Sequence, residues 1–159
     1  MFTFTVTVGQ LLAHAVGDYG LQSDWMAADK TSKWQPALAH AFTYTLPFLF
    51  LTRCWWALLL IMGSHYVIDR YRLIRYYIWL KNFISPKVVP KEVLKFNPDG
   101  SLASSSITYV RYYSWEQCSK TGMYTGKPDW LAVWLMIITD NLAHILCNGL
   151  ILSVAQFVA

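Results

Sequence analysis

Four long stretches of the chain are poor in charged residues, and polar connections separate them. They run over about residues 2–22, 36–52, 54–84 and 129–158, and the third continues into a basic tail after Asp69. Roughly 17 to 25 apolar residues cross a bilayer as a helix, and only a helix satisfies its own backbone there. The pattern therefore predicts an all-α membrane protein, a bundle of four antiparallel spans with a long loop at 85–128.

Composition supports the same prediction. The chain has 159 residues, of which 55% are hydrophobic, 16% aromatic and 14% charged, well away from the soluble average. We expect one membrane-embedded domain over residues 1–159. The first stretch lacks the basic region and cleavage site of a signal peptide, so we expect it to remain as a helix.

Basic residues in the connections predict the orientation. Lys and Arg concentrate in 23–35 and 85–128 and are absent from both ends of the chain. By the positive-inside rule these two loops face the cytoplasm and both termini lie outside, in a multi-pass inner-membrane protein. The net charge of +4 is explained by these loops, and no basic helix typical of nucleic-acid binding is present.

All four histidines lie in the apolar stretches, and three of them have an aspartate four residues away. The pairs are His14 with Asp18, His65 with Asp69, and His144 with Asp140. Residues four apart project from the same face of an α-helix. Each pair therefore presents a nitrogen and an oxygen ligand to one point, as a buried metal site requires.

The histidines also share a predicted depth. His14, His40, His65 and His144 are twelve to fourteen residues from the outer ends of their stretches, which is about 18 to 21 Å along a helix. Antiparallel helices bring together residues at equal depth. Because ionisable groups at membrane depth need a compensating partner or ion, we expect these side chains to converge around bound cations.

The predicted ligands are four imidazoles and three carboxylates. One catalytic zinc uses three protein ligands, so this set predicts two divalent ions with one carboxylate as a bridge. Nitrogen and oxygen ligands suit Zn, Mn or Fe. Two such ions favour hydrolysis of a phosphoester or related bond, in a lipid or another amphipathic substrate. The predicted ligands are His14, Asp18, His40, His65, Asp69, Asp140 and His144, with catalytic roles for the three aspartates and for Arg70.

Four segments also carry a resemblance to a known family. They are AHAVGDYGLQSDWMAADK (13–30), HAFTYTLPF (40–48), HYVIDRYRLIRY (65–76) and DNLAHILCNGL (140–150). In that order they resemble small bacterial and phage membrane proteins catalogued as a domain of unknown function and, more distantly, membrane-bound metal-dependent hydrolase-like proteins. The resemblance implies that the seven ligands are the family's His and Asp positions. It extends to Gln22, Lys30 and Arg70, which we assign to substrate binding.

Other interpretations stay open. Four histidines in four helices also suit a bis-histidine haem protein, although the aspartates then have no role. A metal or proton conduit and a phage-type membrane effector are further alternatives. Arg70 also fits a positive-inside anchor, and Lys30 also fits a solvated loop charge.

The loop 85–128 has two interpretations, a functional lid and a disordered connection. The turn Asn97 to Gly100 favours a short hairpin that pairs Val93–Phe96 with the residues after the turn. The three cysteines, Cys54, Cys118 and Cys147, are far apart and indicate neither a disulfide framework nor a thiolate zinc site.

Overall fold

The computed structural model describes residues 2–84, 88–124 and 127–158. Its α-helices are α1 Val8–Ala15, α2 Asp24–Asp29, α3 Trp34–Thr45, α4 Trp55–Tyr71, α5 Leu73–Ile84, α6 Trp115–Cys118 and α7 Asp129–Val158, and its strands are β1 Val89–Phe96 and β2 Leu102–Val110. A π-helical turn, Val16–Gly20, follows α1, and a 3-10 turn, Leu46–Phe50, follows α3.

Contacts along the chain divide it into two compact units. Unit 1 comprises the chain up to Leu73 together with the chain from Ile138 onward, and unit 2 comprises Ile74–Ile137. The single domain expected from the sequence stays a prediction.

The predicted bundle of four membrane spans is wrong. Among the described residues, only α7 is long and apolar enough to cross a membrane. It contains 30 residues, or about 45 Å of helix, and its bounds are the predicted ones. The multi-pass topology with both termini outside is not supported, because it needed four such helices.

The first three stretches are interrupted by local backbone features. In the first, α1 begins after Thr7, whose side chain accepts the Gln10 N–H, and it changes to π winding after eight residues. In the second, Pro47 cannot donate the next helical hydrogen bond, and the chain tightens into the 3-10 turn. In the third, Arg72 takes a left-handed conformation, with φ of 49°, between α4 and α5.

Unit 2 contains a hairpin, so the all-α class is also wrong. Strands β1 and β2 pair antiparallel from Val89 opposite Val110 to Phe96 opposite Leu102, with an irregularity between Lys95 and Phe96. In the connecting turn, the Asp99 carboxylate accepts the Ser101 N–H and hydroxyl. The hairpin favoured by the Asn97 to Gly100 turn is confirmed.

Each unit has its own core. In unit 1 the buried apolar cluster comprises Ala13, Tyr44, Phe48, Ile61 and Leu152. In unit 2 it comprises Tyr113, Cys118 and Tyr124, with Trp79 and Val110 packed against them.

Candidate metal centre

Four buried ligands from three elements of unit 1 meet at one point. The π turn contributes Asp18, α3 contributes His40, and α4 contributes His65 and Asp69. One ligand atom from each lies within 4.8 Å of the others, close enough to hold a metal ion. The four side chains Asp18, His40, His65 and Asp69 are called the primary group below.

The π turn decides which first-stretch residue reaches this group. Its hydrogen bond runs from Leu21 N–H to the Val16 carbonyl, five residues apart, so the winding changes between His14 and Asp18. The turn also packs tightly on α3. A Cβ on Gly17 would lie 2.7 Å from the Tyr44 carbonyl oxygen, which only glycine avoids at this position.

The interatomic distances suit a small cation. His40 Nε2 lies 3.2 Å from Asp18 Oδ1 and 3.4 Å from Asp69 Oδ2, and His65 Nε2 lies 3.4 Å from Asp69 Oδ2. Ligands of a tetrahedral zinc ion, with bonds near 2.0 to 2.1 Å, are separated by about 3.3 Å. The primary group therefore has the spacing of a first coordination shell, and its nitrogen and oxygen donors suit Zn, Mn or Fe.

The hydrogen-bonding demands on His40 Nε2 conflict unless a cation is present. This atom lies 3.2 Å from Asp18 Oδ1, 3.2 Å from Lys30 Nζ and 3.0 Å from His65 Nε2. It must carry a proton to donate to the carboxylate and must lack one to accept from the ammonium. A metal ion on its lone pair removes the conflict. Asp69 Oδ2 is buried and accepts no hydrogen bond of regular geometry among the described residues, although Lys30 Nζ lies 2.6 Å away, and an ion would bind it directly.

A second group shares Asp69 with the first. Asp69, Asp140 and His144 also place ligand atoms within 4.8 Å of one another. His144 Nε2 lies 3.1 Å from Asp69 Oδ1 and 3.5 Å from Asp140 Oδ2. Because Asp69 turns Oδ2 toward the primary group and Oδ1 toward this second group, it is the carboxylate placed to bridge them.

The two groups are coupled through one imidazole contact. His65 Nδ1 lies 3.2 Å from His144 Nδ1, and one of these two nitrogens must carry the proton of the hydrogen bond between them. Burial would lower the pKa of His144, but hydrogen bonds with Asp140 and Asp69 raise it to about 9. If His65 binds an ion through Nε2, its Nδ1–H donates to His144, whose Nε2–H then donates to Asp69. His144 is thereby an outer partner that orients His65, a common arrangement around metal-bound histidines. The second ring nitrogen of His40, Nδ1, has no such partner among the described residues.

His14 lies outside both groups. Its Nδ1 is 2.9 Å from the Tyr44 hydroxyl, and its Nε2 is 2.7 Å from Asn141 Oδ1. The Tyr44 hydroxyl also accepts a hydrogen bond from Asn148 Nδ2 at 2.6 Å. His14 therefore anchors Tyr44 and Asn141 and is not a member of the primary group.

Tyr44 and Asn148 were missed in the sequence, although a signal for them existed. The Tyr44 ring stacks on the His65 ring, with centroids 3.5 Å apart, and thus supports a member of the primary group. Tyr44 follows His40 by four residues, and Asn148 follows His144 by four. The spacing rule that paired histidines with aspartates would have placed both on the site's face.

The three residues assigned to substrate binding have internal partners. Lys30 Nζ lies 2.6 Å from Asp69 Oδ2 and donates to Gln22 Oε1 at 2.7 Å. The Arg70 guanidinium donates to the carbonyls of Thr31 and Ser32. Lys30 is therefore part of the site rather than a solvated loop charge, and Arg70 holds the connection that carries it.

Electrostatics favour an ionised Asp69. Burial would raise the pKa of its carboxyl, but the hydrogen bond from His144, the adjacent His40 ring and the positive charge of Lys30 bring the pKa well below 3.8. Asp18 is shifted the same way: burial opposes the shift, and the His40 hydrogen bond lowers its pKa. Both carboxylates are thus present as anions.

The two central histidines shift in opposite directions. Burial holds the pKa of His65 well below 6.5. For His40, burial acts downward, but the hydrogen bonds to Asp18 and Asp69 raise its pKa. His65 is therefore a neutral ligand, whereas His40 must lose a proton before it binds an ion, so metal binding at His40 releases a proton.

Fold and site together define a class of protein with a buried His and Asp cluster that can hold a metal ion. The chain belongs to the family described as "Protein of unknown function (DUF3307)", whose model matches residues 6–131. The primary group lies inside the matched range, whereas Asp140 and His144 lie beyond it. No curated protein and no solved structure matches the chain. The family prediction is confirmed; the likeness to metal-dependent hydrolases is not shown.

Proposed function

We propose that unit 1 binds a divalent metal ion at the primary group and hydrolyses a phosphoester or related bond. The observation that carries this proposal is the approach of four buried ligand atoms from three elements to within 4.8 Å. Ionised carboxylates inside a protein need a compensating cation. A purely structural core would not need the buried carboxylates of Asp18 and Asp69.

Asp18, His40, His65 and Asp69 would hold the ion, and Tyr44 and His144 would orient His65. When bound, a divalent cation supplies Lewis acidity toward an ester oxygen and lowers the pKa of a water molecule. The chain contributes fixed carboxylates that accept protons and a largely buried setting in which charges act strongly. The Lys30 ammonium adds a positive charge at the edge of the site.

A second ion would use Asp69 Oδ1, Asp140 and His144, with Asp69 as the bridge. It requires His144 Nε2 to lose its proton and to give up the hydrogen bond with Asp69. If both rings were ligands through Nε2, each would carry its proton on Nδ1. The N–H groups of His65 and His144 would then point at each other across 3.2 Å. We therefore propose that the primary group fills first and more tightly.

A closed structural metal site is the second candidate. The side chains of His40, His65 and Asp69 are 1%, 1% and 5% exposed, and closed four-ligand shells are typical of structural zinc. Turnover separates the two candidates. A bis-histidine haem does not fit, because the His40 and His65 Nε2 atoms are 3.0 Å apart and leave no room for a macrocycle between them.

Lipid is the proposed partner of unit 1, because this unit exposes many large apolar side chains. On α7, Asp140 and His144 face the site, while Ile138, Leu142, Leu146 and Leu150 are each more than half exposed. In α4 and the 3-10 turn, Trp55 is 71% and Phe50 92% exposed. Apolar surfaces of this extent mark protein or membrane contacts. Flotation with phospholipid vesicles tests this proposal, and a chain that stays in the lipid-free fraction contradicts it.

The metal proposal is tested by Asp69→Asn, with Asp129→Asn as the matched control. Asp69 belongs to both ligand groups, whereas Asp129 forms an exposed ion pair with Lys120. Elemental analysis should show one or more Zn, Mn or Fe per chain in the parent and less than a tenth of that in Asp69→Asn. Hydrolysis of an aryl phosphodiester should fall in parallel. Full metal occupancy in Asp69→Asn would refute the site, and metal without turnover would favour the structural candidate.

A further inference from the structure

The Lys30 ammonium already lies where a cation would bind. Its Nζ is 2.6 Å from Asp69 Oδ2, 3.2 Å from His40 Nε2 and 4.0 Å from Asp18 Oδ1. All three are ligand atoms of the primary group. Three of the four ligands of the proposed metal ion are therefore also neighbours of the ammonium.

Lys30 and the ion cannot both keep these contacts. An ion bonded to Asp69 Oδ2 and His40 Nε2, at the roughly 2.0 to 2.2 Å of zinc bonds, would lie less than about 4 Å from Nζ. Like charges at that separation repel strongly in a buried site. One of the two cations must leave.

The ammonium is held by two oxygen atoms. It donates to Gln22 Oε1 at 2.7 Å and pairs with Asp69 Oδ2 at 2.6 Å. A divalent cation offers Asp69 Oδ2 twice the charge and a direct bond, so it competes with the ammonium for the same atom.

The segment that carries Lys30 is attached to unit 1 by polar contacts that can exchange with water. Arg70 donates to the Thr31 and Ser32 carbonyls, and Lys30 itself contacts Asp69 and His40. No residue of α2 is buried. Lys30 can therefore leave without disturbing the buried core of unit 1.

We propose that Lys30 is a tethered counter-cation of the primary group and that a divalent ion displaces it from Asp69 and His40. This inference rests on the proposed metal site and goes beyond it. The displaced ammonium stays on its short connection at the rim of the site. There an anionic group of a substrate would lie between it and the ion, so Lys30 selects for negatively charged substrates such as phosphate esters.

Amine footprinting of the unaltered chain tests the displacement. The Lys30 side chain is 18% exposed and that of Lys33 is 61% exposed, so Lys33 is an internal control. Acetylation by an amine-reactive ester, read by mass spectrometry, should rise several-fold at Lys30 when zinc is added and stay constant at Lys33. Lys30 reactivity that is unchanged or lower with bound zinc would overturn the inference.

Zinc titration calorimetry of Lys30→Met and Lys33→Met gives an independent readout. Removal of the competing charge should tighten zinc binding at least tenfold in Lys30→Met and leave Lys33→Met like the parent. Equal or weaker binding by Lys30→Met overturns the inference while the metal site stands. If neither parent nor Lys30→Met binds zinc, Mn or Fe, the proposed function fails with it.

Discussion

The two units differ in the polar side chains that they bury. Unit 1 places His, Asp, Gln and Asn inside and exposes many Leu, Phe and Trp side chains. Unit 2 buries Tyr113, Cys118 and Tyr124, and its ion pair between Lys120 and Asp129 lies at the surface. Unit 2 also exposes large apolar side chains, among them Ile84, Phe96 and Ile107, so the contrast lies in the interior: among the described residues, buried His and Asp side chains occur only in unit 1.

The difference in buried polar side chains indicates that the candidate site lies in unit 1. Unpaired buried charge is strongly destabilising, whereas a buried tyrosine with its hydroxyl bonded is not. In unit 2, the Tyr113 hydroxyl donates to the Pro90 carbonyl at 3.0 Å. Side-chain packing is enough to account for the buried cluster of this unit. Among the described residues, only the interior of unit 1 holds buried carboxylates, and the Lys30 ammonium lies beside them.

The largest expected effect on stability lies in unit 2, at Gly122. This residue has a φ of +75°, and a Cβ there would collide with the Arg75 carbonyl. Gly122→Ala should lower the stability of unit 2 by about 3 kcal/mol or more, from left-handed strain and the clash together. Hydrogen exchange of the peptides within Ile74–Tyr124 measures the loss.

Gly100→Ala is the matched control for Gly122→Ala. Gly100 has a φ of +83° but open space around its Cβ position, so only the backbone strain of about 1 to 2 kcal/mol is expected. Zinc affinity should be unaltered in both variants. A loss of zinc binding in Gly122→Ala would show that the metal site depends on unit 2.

A smaller effect is expected in unit 1, at Gly17. A Cβ at Gly17 would meet the backbone and ring of Tyr44, so Gly17→Ala should cost about 1 to 3 kcal/mol and weaken zinc binding by shifting Asp18. Gly63, inside α4, has nothing within 4 Å of its Cβ position. Gly63→Ala should stabilise by up to about 1 kcal/mol. Urea denaturation and zinc titration of both variants decide the matter, and equal zinc affinities would contradict the role of the π turn.

The smallest effect is the acid dependence of the metal-free protein. Because the folded-state pKa of Asp69 is lowered from 3.8, its ionised form stabilises the fold above about pH 4. That contribution is lost as the pH falls through the lowered pKa. Denaturation between about pH 5 and about pH 2 should show a steeper loss for the parent than for Asp69→Asn. Parallel curves would mean that Asp69 has an ordinary pKa.

The sequence predicted the site where its helices are regular. His65 and Asp69 lie in α4 and Asp140 and His144 in α7, and the spacing of four places their ligand atoms 3.4 and 3.5 Å apart. His14 and Asp18 have the same spacing, but the π turn between them separates their roles. Periodicity assumes constant winding, so it could not reveal that change.

The global arrangement was harder to predict than the site. Hydropathy indicated four spans because it averages over breaks such as Pro47 and the left-handed Arg72. Pro47 stands among apolar residues and the backbone angle of Arg72 has no hydropathy signal, yet each break ends a helix. Lys30 lies on a connection that folds back onto α3 and α4, where it contacts His40 and Asp69. Local sequence patterns do not predict such a tertiary contact.

The π turn has a consequence for how this centre arises. A π segment is an α-helix with one extra residue accommodated in its winding. Deletion of Val16 or Gly17 should restore an ordinary helix and rotate Asp18 by about 100° relative to α1. The insertion or loss of one residue thus decides whether Asp18 reaches the primary group, which is a short evolutionary step in either direction.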